Sequence, residues 1–183
     1  MRSILARPAG RSDRVSPVEE TPGEYLSRMA GYLGRDDPFA VLRSTPRTLR
    51  RLVAGAPRRR LAARPAPGKW SAVEILAHVA DVDLVWGYRM RRILEKPGLR
   101  IEPMEQDRWV AECRYAEARA GDALEAFAAI RRWNLALLAR VPPSALRRRG
   151  EHPYFGSLTI AGIIRMLAGH DRNHLGQLRG LLR

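Results

Sequence analysis

The chain has 183 residues, 45% apolar and 28% charged, a balance that suits one globular domain with room for a hydrophobic core. A single cysteine, Cys113, excludes an internal disulfide and a thiolate metal cluster, which fits a cytoplasmic setting better than a secreted one. The N-terminal apolar run is only Ile4, Leu5 and Ala6, too short for a signal segment, and no stretch reaches the roughly 18 apolar residues that a membrane span needs.

The formal net charge is +14, and apart from Lys69 and Lys96 every basic residue is arginine. No acid falls between Asp37 and Glu74, a stretch holding Arg47, Arg50, Arg51, Arg58, Arg59, Arg60 and Arg64; a second acid-free stretch, 126–150, contains Arg147, Arg148 and Arg149. Such clusters attract polyanions. No aromatic residue lies between Phe39 and Trp70, however, so the first cluster lacks stacking platforms for single-stranded nucleic acid. The expectation is a solvated basic surface, with nucleic-acid binding at most weak and non-specific.

Residues 1–20 show no sustained periodicity and read as a loose arm; residues 21–183 form the single domain. Thr21-Pro22-Gly23-Glu24 resembles a capping box with proline at the first helical position. Asp37-Pro38 and Thr45-Pro46 repeat the cap-plus-proline signal and predict short helices up to about Ala54. The segment 56–68 holds three prolines and is a connector.

Ser71 and Glu74 have capping-box spacing, with Trp70 and Ile75 placed as a hydrophobic staple; Pro97-Gly98 ends that helix. A third helix is predicted from about Glu105 to Arg140, with a break near Gly121, stopped by Pro142-Pro143. After a loop at 150–156, the last helix starts near Ser157 or Thr159 and runs to the C-terminus. No segment shows sustained strand alternation. The expected fold class is an all-α four-helix bundle with extra short helices.

His170 and His174 are four apart, which puts both imidazoles on one helix face. Ile163, Leu167 and Leu181 share that face within about 60°, while Arg165, Arg172, Arg179 and Arg183 fall opposite. Gly162, Gly169 and Gly176, spaced by seven, mark a flank where a neighbouring helix can come close. The plain alternative is a pair of core histidines bonded to carbonyls. Two inward imidazoles are costly to bury unless both are satisfied, and a shared cation satisfies both in their neutral form. His170-Asp171-Arg172-Asn173-His174 is not a zincin motif, since Asp171 stands where that motif has glutamate.

His78 also faces inward, with Ile75, Val82 and Val85 on its face, and supplies a third ligand from another helix. Three neutral nitrogens leave coordination positions open, as catalytic sites do. Asp81, one turn on, is the candidate to orient an imidazole or accept a proton; a surface carboxylate is its plain alternative. Arg89 shares the His78 face but lies 11 residues on, about 16 Å along the axis, where it binds an acidic substrate or simply reaches the bundle end. Gln177, one turn past His174, bonds a ligand or a core carbonyl, and His152 is structural or lines the pocket.

Gly68-Lys69-Trp70-Ser71 leading into His78-Val79-Ala80-Asp81, then Gly87-Tyr88-Arg89, resembles the DinB superfamily and its YfiT-like members. So do Gln106-Asp107-Arg108-Trp109, the 150–156 loop and Gly169-His170-Asp171-Arg172-Asn173-His174-Leu175. The resemblance implies a four-helix bundle with a three-histidine metal site, carried here by His78, His170 and His174. It further implies a divalent ion, zinc or nickel, and frequent homodimers. The activities it implies are metal-dependent hydrolysis of a small molecule or transfer of a low-molecular-weight thiol. A non-catalytic metal-binding stress-response protein and a polyanion-binding protein with a structural metal are the competing expectations.

Overall fold

The structure, a computed structural model, describes residues 20–183; the arm expected over residues 1–20 lies outside the described residues except for Glu20. The described residues form seven α-helices and one β-hairpin.

Helix α1 (Pro22–Leu33) opens on the Thr21–Glu24 capping box and stops at Gly34, whose φ of 59° suits glycine. Helix α2 (Pro38–Val53) is capped by the Asp37 carboxylate, which accepts from the Phe39 and Ala40 amides at 3.1 and 3.0 Å. Here the structure departs from expectation: Thr45-Pro46 starts no helix but sits inside α2. Pro46 has no N–H for the carbonyl of Leu42, four residues back, and that carbonyl instead accepts from Arg131 Nη1 at 3.1 Å. A partner from another helix thus takes up the group that the proline leaves free.

The connector carries a short helix, α3 (Arg58–Ala62). Helix α4 (Ala72–Glu95) has the Ser71–Glu74 box complete, and Arg64 folds back onto the Glu74 carboxylate. The predicted long third helix is two. Helix α5 (Gln106–Glu112) ends where Arg114 turns left-handed at φ 52°, a 3₁₀ turn follows at Tyr115–Glu117, and α6 spans Ala120–Leu138. The break lies before Gly121 because Tyr115 is buried there and donates its hydroxyl to Asp81 of α4.

The 150–156 loop is largely an antiparallel hairpin, β1 (Arg149–His152) with β2 (Gly156–Thr159), in which Glu151 opposes Ser157. Four-residue strands are too short to show alternation. Ile101 and Glu151 add a cross-link, Ile101 N donating to the Glu151 carbonyl at 2.8 Å. Helix α7 (Ile160–Leu182) starts at the Thr159 cap, whose hydroxyl accepts from the Gly162 amide at 2.9 Å. No helix among the described residues is long and apolar enough to cross a membrane.

Helices α1 and α2 both pack on α7, α6 fits between α2 and α4, and α4 also meets α7. Of the three spaced glycines only Gly169 is a close approach: a Cβ there would collide with the Met29 backbone of α1. Gly176 meets nothing, and Gly162 meets only its own cap residue.

The core divides into two apolar clusters. One gathers Trp86, Met90 and Ile93 of α4 with Ile163, Ile164 and Leu167 of α7; the other gathers Ile75, Leu76 and Val79 with Phe127, Leu175 and Leu178. Between them every long helix carries buried polar groups: Thr45 on α2, His78 and Asp83 on α4, Arg131 and Asn134 on α6, and His170, Asp171 and His174 on α7. This polar layer holds the site.

Candidate metal centre

His78 of α4 and His170 and His174 of α7 meet within this layer. His170 Nε2 lies 3.1 Å from His78 Nε2 and 3.0 Å from His174 Nε2, and ligand atoms of all three fall within 4.8 Å of one another. All three side chains are buried. Burial pushes His78 and His170 well below the ordinary imidazole range, with charge repulsion among the rings adding to it; burial likewise brings His174 down to about 4. The rings are therefore neutral at physiological pH, the form that ligates metal.

Gln177, one turn beyond, fixes the tautomer of His174. Its Oε1 lies 2.8 Å from His174 Nδ1, so Nδ1 donates and the Nε2 lone pair turns to the cluster. His78 Nδ1 is buried with no hydrogen-bond partner among the described residues. A core histidine held by protein hydrogen bonds would not be left so. Nor can the three nitrogens, His170 Nε2 lying about 3 Å from each of the other two, all be satisfied by one another. A cation at their meeting point resolves the arrangement, and the residues fit one.

Next to the cluster, Arg131 organises the rest of the layer. Its guanidinium donates to both Asp171 oxygens at 2.6 and 3.0 Å and to Asp83 Oδ1 at 3.0 Å. All three side chains are at most 3% exposed, so the network is satisfied within the protein rather than by solvent. Asn134 adds a bond to the Asp83 carbonyl at 2.9 Å. The network ties α2, α4, α6 and α7 together beside His170. Sequence reading missed it, although Phe127, Arg131, Asn134 and Leu138 stand at core spacing on α6.

Two cavities share His170 in their walls. The outer, about 720 Å³, is lined by His170, His174, Gln177, Trp70, Arg28 and Asp107 among others. The inner, about 320 Å³, is lined by Arg89, Trp86, His152, Phe155 and His170 among others. Trp70, expected as a staple and as part of the Gly68–Ser71 motif, lies 4.8 Å from the His78 ring and stacks near-parallel to His174 at 6.5 Å. Its position just before the Ser71 cap was the signal.

The remaining expected residues separate. Gln177 is at the cluster, whereas Arg89 and His152 share the inner cavity. Asp81 lines neither cavity; its carboxylate accepts the Tyr115 hydroxyl. Cys113 is exposed and lines neither.

Fold and site together define a helical bundle with a buried three-histidine cluster opening on a cavity. Comparison gives the family: residues 42–178 match the sequence profile of the DinB superfamily, and the chain belongs to it. The chain is 24% identical to a protein of Oceanobacillus iheyensis named "putative metal-dependent hydrolase", over 74% of this chain and 78% of that protein. Its fold is similar to that of YfiT from Bacillus subtilis, described as a probable metal-dependent hydrolase with an unusual four-helix bundle topology. That structural match has a TM-score of 0.73 and 18% identity, and covers 93% of this chain and 91% of YfiT.

Proposed function

We propose that the protein is a metal-dependent enzyme acting on a small molecule, with His78, His170 and His174 holding one zinc or nickel ion. The observation that carries this reading is the convergence of three neutral Nε2 atoms beside an open cavity, rather than in a closed shell. A divalent ion at that point supplies Lewis acidity, which lowers the proton affinity of a water or thiol and polarises a carbonyl. Hydrolysis is the reaction for which the similar proteins are named, and it leads here.

The chain's own residues supply the rest. Gln177 holds His174 in the ligating tautomer, and Trp70 shields the rings from bulk water on one side. For the proton that the nucleophile must lose, two carboxylates compete. Asp107 lines the outer cavity, while Asp81 is engaged by Tyr115; we favour Asp107.

Thiol transfer is the second reading. Two cavities that both reach His170 give room for a substrate and a small thiol together. A screen of esters and amides, with and without added cysteine, separates the two. Activity should vanish on chelation, return with zinc or nickel, and persist in Cys113→Ala. Undiminished turnover in a His170→Ala, His174→Ala double variant would overturn both.

A further inference from the structure

Arg89 is only 6% exposed, yet no carboxylate among the described residues pairs with it, Glu105 on the same cavity wall included. Its one hydrogen-bond acceptor among those residues is the Glu102 carbonyl, and its guanidinium lies over the Trp86 ring at 4.4 Å from the centroid. A guanidinium has five N–H groups. The other donors of Arg89 meet no acceptor among the described residues and are not sealed off from the cavity, so they are free to take an anionic group that enters it. Burial draws the group down to about 10, so it stays charged at neutral pH.

His152 lines the same cavity. Its Nδ1 accepts from the Tyr154 and Phe155 amides at 3.1 and 3.3 Å, which leaves the proton on Nε2. No acceptor among the described residues takes that proton. The cavity thus offers a cation and a neutral N–H, set among the apolar walls of Trp86, Phe155, Met166 and Leu167. His170 of the histidine cluster lines it too. On α4, Arg89 stands 11 residues beyond His78, about 16 Å of rise, with its side chain tilted back toward the helix N-terminus.

The geometry points to the inner cavity as a carboxylate-binding subsite: the substrate is a small molecule with an apolar body and one carboxylate, held by Arg89 and His152, whose other end reaches the histidine cluster. This rests on the proposed function for what happens at the cluster, but carboxylate binding itself does not require the ion.

The test is therefore run on chelator-treated protein, by calorimetric titration with 4-phenylbutyrate and with its uncharged amide. The acid should bind at least tenfold tighter than the amide. Arg89→Gln should bring acid and amide to equal affinity, whereas Arg89→Lys should retain part of the preference. Equal affinity of acid and amide for the unaltered chain overturns the subsite, as does an undiminished preference in Arg89→Gln. If Arg89→Gln fails to fold, the acid–amide comparison on the unaltered chain still decides. Failure of the metal reading would show instead as absent ion binding with the acid preference intact.

Discussion

Arg131 grips both carboxylate oxygens of Asp171, the residue next to His170, from across the bundle on α6. The ligand-bearing turn of α7 is thereby fixed by a charge pair that water does not reach. Arg131→Met would strand two buried carboxylates, and removing one partner of a buried pair costs about 3–5 kcal/mol. Chemical denaturation should show that loss. Asp171→Asn keeps the shape and loses the charge, and should cost less while still weakening metal binding. An Arg131→Met protein of native stability would show that the network does not hold the layer.

Gly169→Ala and Gly176→Ala make a matched pair on one helix. At Gly169 the new methyl meets the Met29 backbone, so α1 must move. Overpacking of this kind costs about 1–3 kcal/mol. Because α1 carries Tyr25 and Arg28, which line the outer cavity, the displacement should also alter ligand binding. At Gly176 nothing is in the way, and alanine should stabilise by up to about 1 kcal/mol through helix propensity. Equal melting temperatures for the two variants would refute the contact.

The helical fold class, helices α4 and α7 and the histidine triad were legible because their signals are local. Caps such as Ser71–Glu74 and the i, i+4 pair His170 and His174 lie within a few residues of one another. What escaped depends on distant partners. Pro46 stays helical because Arg131, 85 positions later, takes the free Leu42 carbonyl. The break after α5 is set by Tyr115 reaching Asp81 on another helix. Seven-residue spacing of glycines marks a helix face, but only packing decides that Gly169 alone is a contact.

Acid should destabilise the metal-free protein. Folding brings His174 and His152 from 6.5 to about 4, and His78 and His170 also drop. As pH falls from 6.5 toward 4 the unfolded chain takes up protons that the folded chain refuses, so stability present above pH 6.5 is lost. His174 alone contributes on the order of 3 kcal/mol across that window. Asp83 runs the other way: raised from 3.8 to about 6 by burial, it favours the fold as acid is added, but it is one group against four. Denaturant midpoints in chelator should fall steadily between pH 6.5 and 4.5; a flat profile would contradict the buried neutral imidazoles.

The arginine-rich surface should bind duplex DNA only weakly and without sequence preference. Phosphate neutralisation makes such binding fall steeply between roughly 50 and 200 mM salt, which fluorescence anisotropy can follow. Tight, sequence-selective binding that survives the higher salt would move the basic surface to the centre of the protein's function.

Metal titration of tag-free protein, followed by calorimetry and by elemental analysis after gel filtration, tests the central claim most directly. The unaltered chain should retain one zinc or nickel ion. His78→Ala, His170→Ala and His174→Ala should each lose nearly all affinity, and Gln177→Leu about 10–100-fold by releasing the His174 tautomer. His152→Ala should bind as the unaltered chain does. Full occupancy in the His170→Ala, His174→Ala double variant, or no ion bound by the unaltered chain, would contradict the account.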